Sequence, residues 1–232
     1  MLKQIQKELG KNIDIKYRNN LHRAFGHKIK AHGVRVPIVR KIANGYFKDI
    51  KELDKKEFYK KCEELLKTKS IEETFIVFQW IYKRKKQITE QDFKIFERWI
   101  NKYVNNWAKC DDFCCHTMGY FILEYPKYVK HLKKWAKHKN MWMKRASAVS
   151  LILPVRKDKK FLKTIFEISD ILLQDKEYLV QKAYGWALKV GADQDQKQVF
   201  EYVMKNKHKM PRTALRYAIE KMPKHLKKRT IN

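Results

Sequence analysis

The stretch Asn106-Trp107-Ala108-Lys109-Cys110-Asp111-Asp112-Phe113-Cys114-Cys115-His116 decides how this chain is read. On an α-helix, Trp107, Asp111, Cys114, Cys115, Met118 and Ile122 fall at i, i+4, i+7, i+8, i+11 and i+15, a single stripe. Every member except Asp111 is apolar or weakly polar. A carboxylate on the inward stripe of a helix is costly unless something compensates its burial. One compensation is capping: Asp111 or Asp112 would accept backbone N–H groups at a helix start, a common place for Asp before an apolar-periodic run. The other is chemistry that uses an inward anion.

The helical period continues in both directions. Upstream, Phe93, Phe96, Trp99, Ile100, Tyr103 and Val104 keep it and lead into Trp107. Residues 54–68 and 71–84 read as an antiparallel pair. Within the second, Phe75-Ile76-Val77-Phe78-Gln79-Trp80-Ile81 is apolar nearly all round, which predicts a central buried helix. The segment 2–30 is basic and breaks near Gly26; the loop at Gly33-Val34-Arg35 then feeds a helix with Pro37 in its first turn, where a missing N–H does no harm. After Pro126, a helix carries Val129, Leu132, Trp135 and Ala136 on one side and lysines on the other. Segments 141–153, 159–174, 177–191, 194–206 and 211–222 complete the set. With no strand pattern, the expected fold is all-α: an α-solenoid of antiparallel helix pairs (HEAT-like repeats), one curved domain over 1–232 with a basic concave face. HEAT-type pairs recur at roughly 40 to 47 residues and other helical repeats at roughly 34. Self-similarity along the chain is weak, so the period rests on helix lengths.

Composition narrows the function classes. A chain of 232 residues can bury a substantial core. Hydrophobic residues at 44% and aromatics at 13% exclude wholesale disorder. Only 7 Gly and 5 Pro leave few turn points, which favours helices over many short strands. The 54 Lys and Arg against 25 Asp and Glu give a formal charge of +29. A charge that large calls for a polyanionic partner, nucleic acid first and an anionic membrane second. The plainer alternative is a Lys-rich surface that follows genome base composition. No apolar run reaches bilayer-spanning length, and the start Met1-Leu2-Lys3-Gln4 has no secretory apolar region, so no membrane partner is expected. Four Cys make no disulfide framework in a chain this size, which points to a reducing, cytoplasmic compartment.

Two further positions break the stripe rule. In Met141-Trp142-Met143-Lys144-Arg145-Ala146-Ser147-Ala148-Val149, Arg145 lies on the side that Trp142 and Val149 define. In Leu179-Val180-Gln181-Lys182-Ala183-Tyr184-Gly185-Trp186-Ala187-Leu188, Trp186 joins Leu179, Ala183, Ala187 and Val190. Alone, Trp186 reads as a core tryptophan and Arg145 as an interhelix salt bridge or a snorkelling side chain. Yet Trp107 to Arg145 and Arg145 to Trp186 are each close to one helix-pair period. Equivalent places in successive repeats line one face of a solenoid, which would let Trp107, Asp111, Arg145 and Trp186 converge.

Trp107-x-x-x-Asp111, Trp142-x-x-Arg145 and Gln181-Lys182-Ala183-Tyr184-Gly185-Trp186-Ala187-Leu188 resemble the signature segments of the DNA alkylation repair glycosylases, the AlkD family of HEAT-like repeat proteins. The Gly33-Val34-Arg35-Val36-Pro37 loop and the segment 211–222 are similar as well, so the resemblance covers most of the chain; Lys182-Ala183-x-Gly185-Trp186 is its most specific part. One departure shows: Asn106 stands where the family often carries an aromatic residue. The resemblance implies N-glycosylase chemistry on alkylated purines in double-stranded DNA, with Asp111 catalytic and Trp107, Arg145 and Trp186 binding substrate and DNA. It shifts the choice at Asp111 from capping to catalysis.

These residue types suit that chemistry. Alkylation at purine N3 or N7 makes the base a cationic leaving group, and the glycosidic bond breaks through an oxocarbenium-like transition state. The Asp111 carboxylate would stabilise that charge and orient or deprotonate the attacking water. Indole faces at Trp107 and Trp186 attract cations, by roughly 0.5 to 2 kcal/mol each. Arg145 would hold a phosphate through its planar fork. No cofactor and no metal is expected. Cys110-x-x-x-Cys114-Cys115-His116 lacks the second ligand pair of a zinc site, and Cys114 and Cys115 read as small core fillers. Asp112 and His116 read as a surface contact, and Lys83-Arg84-Lys85-Lys86 as a solvated helix end. The expectation is thus a monomeric, cytoplasmic, nucleoid-associated DNA glycosylase. The competing class is a non-catalytic HEAT-like module that binds DNA or RNA through its lysines, and Asp111 discriminates the two.

Overall fold

Local chemistry sets the helix ends. Asp54, Asn140 and Asp195 each accept a backbone N–H from the first turn that follows, at 2.9 to 3.0 Å. Pro37 sits in the first turn of its helix. The structure is a computed structural model that describes the backbone of residues 1–231 and their side chains except those of His22 and Ile231. Among the described residues there is no strand. In chain order the α-helices are α1 (Leu2–Lys11), α2 (Ile15–Phe25), α3 (Val36–Ile50), α4 (Lys55–Leu66), α5 (Ile71–Lys83), α6 (Phe93–Tyr103), α7 (Trp107–Phe113) and α8 (Gly119–Glu124). They continue as α9 (Val129–Ala136), α10 (Met141–Val149), α11 (Ile152–Lys157), α12 (Phe161–Leu172), α13 (Tyr178–Gly191), α14 (Gln196–Asn206), α15 (Arg212–Ala218) and α16 (Lys224–Ile231).

The helices fall into two compact units. The first comprises Met1–Thr89 and Tyr103–Asp112. Here α1 packs on α3, and α3 and α4 both pack on α5. As its all-round apolar sequence predicts, α5 is the core of this unit: Ile76, Val77 and Trp80 are fully buried, and the Trp80 indole N–H donates to the Ala43 carbonyl at 2.7 Å. The second unit comprises Glu90–Lys102 and the chain from Phe113 onward. Its helices stack in succession: α9 against α10 and α12, α10 and α12 against α13, and α13 against α15. Aromatic residues tie α6 to α9, with Phe93 stacked on Trp135 at 5.6 Å and the Trp135 indole donating to Glu97.

Three segments depart from the sequence expectation. The helix expected over 141–153 is two, α10 and α11. Pro154 has no N–H to give to the Ser150 carbonyl and its ring crowds that oxygen, so the helix breaks and restarts at Ile152. The set does not end at 222, because α16 follows Pro223. Finally, the helix from Trp107 to Ile122 is not continuous: residues Cys114–Met118 form a π-helical turn between α7 and α8. A π turn inserts an extra residue and rotates whatever follows.

Candidate active site

The start of α7 is closed by Asn106. Its buried side-chain oxygen accepts the Lys109 N–H at 3.0 Å, and its carbonyl accepts the Cys110 N–H at 3.2 Å. Asp111 and Asp112 lie a turn further on, inside the helix, so the capping explanation for either is overturned. The inward stripe is also not the expected one. Asn106, Lys109, Cys110, Phe113 and Cys114 are buried, at i, i+3, i+4, i+7 and i+8. Asp111 is half-buried and Trp107 is 37% exposed, one turn apart on the accessible flank of α7. The indole is nevertheless fixed. It stacks on Phe25 at 5.3 Å and 27°, and its N–H points to the Ala24 carbonyl at 3.4 Å.

Beneath α7 lies a polar cluster that the sequence reading missed. Lys109 is 1% exposed, and its Nζ donates to the Lys69 carbonyl at 3.0 Å. Burial lowers its pKa to about 8, against the opposing pull of Glu72 and Glu73. Buried Glu72 accepts the backbone N–H groups of His32, Gly33 and Val34 at 2.7 to 3.1 Å, together with the Ser70 hydroxyl. This carboxylate shapes the loop before α3. Gly33 sits there at φ 94°, with the Arg18 side chain where a Cβ would go, so the position excludes other residues. Burial pushes the Glu73 carboxyl up, but hydrogen bonds from His32, Thr68 and Gln6 outweigh it and hold the pKa below the ordinary value. The same bond to Glu73 raises the His32 pKa despite burial. From α3, Arg40 pairs with Asp112 and donates to the Phe75 carbonyl, so Asp112 ties α7 to the core of its unit. The signal for these partners was long-range and therefore absent from any local pattern.

In the second unit, Arg145 is 5% exposed and its Nη1 donates to the Leu179 carbonyl at 2.5 Å. It thus joins α10 to α13 through a backbone carbonyl. Trp186 is half-buried on α13, while Ala183, Ala187 and Val190 beside it are buried. Gly185 explains its own place. A Cβ there would lie 2.7 Å from the Ala214 carbonyl oxygen and 2.8 Å from the Tyr217 Cβ, so only glycine lets α15 sit this close. Trp107 and Asp111 belong to the first unit, Arg145 and Trp186 to the second.

Among the described residues, no cluster of His, Cys, Asp and Glu is placed to hold a metal ion. Cys110 and Cys114 are buried; half-buried Cys115 points its thiol to the Val149 carbonyl at 3.7 Å. Among the described residues, no helix is long and apolar enough to cross a membrane.

By fold, stacked helix pairs without strands place the molecule in the α-solenoid class. The model of the DNA alkylation repair enzyme family matches residues 5–222, and the chain belongs to that family. A solved structure described as a predicted DNA alkylation repair enzyme from Enterococcus faecalis superposes with a TM-score of 0.81 over 92% of this chain and 98% of that one. At 13% identity that likeness concerns the fold alone. Among curated proteins, no relative matches by sequence.

Proposed function

We propose that this chain is an alkylpurine DNA glycosylase. Its substrate is duplex DNA bearing purines made cationic by alkylation at N3 or N7, and its reaction is hydrolysis of the N-glycosidic bond. The observation that carries this reading is the accessible flank of α7. An indole and a carboxylate, both of which favour cations, sit one turn apart on a helix whose cap is already supplied by Asn106. The family membership supports a role in the repair of alkylated DNA.

In the proposed reaction the C1′–N bond breaks and its electron pair leaves with the base, cancelling the base's positive charge. The sugar is left as an oxocarbenium-like cation, which the Asp111 carboxylate stabilises. Water attacks C1′ and its proton passes to Asp111 and then to solvent. Trp107 and Trp186 contribute cation-attracting faces. Arg145, whose Nη1 donates to the Leu179 carbonyl, contributes a charge-assisted contact to a phosphate in this reading. The protein acts as a cytoplasmic monomer, held on the nucleoid by its DNA. The test is incubation with duplex DNA carrying N7-methylguanine or N3-methyladenine and assay for free base. Release above the spontaneous rate supports the enzyme; tight binding without release leaves a non-catalytic DNA- or RNA-binding module.

A further inference from the structure

Among the described residues Lys109 is the one buried lysine, and the proposed chemistry gives it no part. Its ammonium is tolerated because the Lys69 carbonyl accepts a hydrogen bond from Nζ at 3.0 Å and buried Glu72 and Glu73 bring their charges from α5. The anchor is itself fixed. Lys69 sits at φ 63° in the turn between α4 and α5, and its N–H donates to the Leu66 carbonyl at 3.0 Å. Stability alone does not call for a lysine here, since replacing a buried charge by a well-packed apolar residue is often neutral or stabilising.

Helix geometry supplies another reason. At about 3.6 residues per turn, positions two apart point about 200° away from each other. Lys109 lies two residues after Trp107 and two before Asp111, so it grips α7 from the side opposite both. With 7 residues, α7 is too short to hold an orientation by its own hydrogen bonds. We propose that Lys109 is a positioning residue: by tying α7 to the Lys69 turn, it sets the rotation at which Trp107 and Asp111 face the substrate. This role deepens the glycosylase reading and rests on it for the effect on base release, while the effect on the orientation of α7 stands without it.

The test compares the full chain with Lys109→Met, Lys109→Leu and Lys109→Arg at neutral pH. Two apolar replacements of different shape keep the packing of either one from deciding the result. Both should fold, because Glu72 and Glu73 keep their own hydrogen bonds. Single-turnover base release from duplex DNA carrying N7-methylguanine should fall about 10- to 100-fold in both, since a misplacement of about 1 Å can cost about 100-fold. Affinity for an undamaged duplex should not change, because a buried lysine adds nothing to the surface that meets DNA. Lys109→Arg keeps a cationic donor and should recover most of the rate. A second readout needs no catalysis. The indole N–H resonance of Trp107, assigned with Trp107→Phe, should shift or broaden in the apolar variants while the remaining indole signals hold. Wild-type release by the apolar variants would overturn the role. So would a loss of rate that follows a lowered melting temperature while the Trp107 resonance stays in place. Absence of release from every form, wild type included, together with the Trp107 shift would support the anchoring of α7 and count against the glycosylase alone.

Discussion

Asn106 closes α7, and Asp111 lies a turn inside the helix. Asn106→Ala should therefore cost about 1 to 2 kcal/mol in a denaturant melt, whereas Asp111→Ala should cost no capping energy. The local pattern alone offered Asp111 or Asp112 as the cap, because two consecutive acids look like a helix start and a lone Asn before Trp does not; only the family resemblance moved Asp111 to catalysis. Lys109 was no more legible. A lysine two residues before Asp reads as surface, and only the turn at Lys69 and the carboxylates of α5 reveal it as core. Its pKa gives a second expectation. The folded value of about 8 lies below the ordinary 10.5, so between these limits the unfolded chain binds more protons than the folded one. Stability relative to Lys109→Met should rise as pH climbs from about 8 toward 10.5 and should be lowest, and flat, below that window. A difference that does not change with pH would mean that Lys109 titrates normally.

At the scale of elements, caps and apolar periods are local signals, and they located most helices and the buried character of α5. Rotation about a helix axis is not local. The burial of Lys109 and Cys110 leaves Trp107 and Asp111 on the accessible flank of α7, and the π turn at Cys114–Met118 breaks the helical period beyond it. The substitution Gly185→Ala weighs a local effect against a long-range one. Alanine would favour the helix by about 1 kcal/mol. Its Cβ, however, would meet the Ala214 carbonyl oxygen at 2.7 Å, a backbone atom that cannot swing aside. Overpacking of that kind costs about 1 to 3 kcal/mol. Gly185→Ala should therefore melt lower than wild type; a higher melting temperature would mean that α15 moves away at no cost.

For the molecule as a whole, the charge of +29 was visible from composition and names the class of partner without placing it. Affinity for duplex DNA should fall steeply with salt, by about 0.9 in the log–log slope for each neutralised phosphate; a flat titration would remove nucleic acid as the main partner. Fold and family follow from patterns spread over the chain. The roles of Trp107, Asp111, Arg145 and Trp186 depend on what they face when DNA is bound, so chemistry has to test them. The most direct measurement is single-turnover base release by Asp111→Asn from duplex DNA carrying N7-methylguanine. The amide keeps the shape and removes the anion. Release should fall by about 100- to 1000-fold, with duplex affinity and melting temperature undiminished. Release at the wild-type rate would contradict catalysis by Asp111.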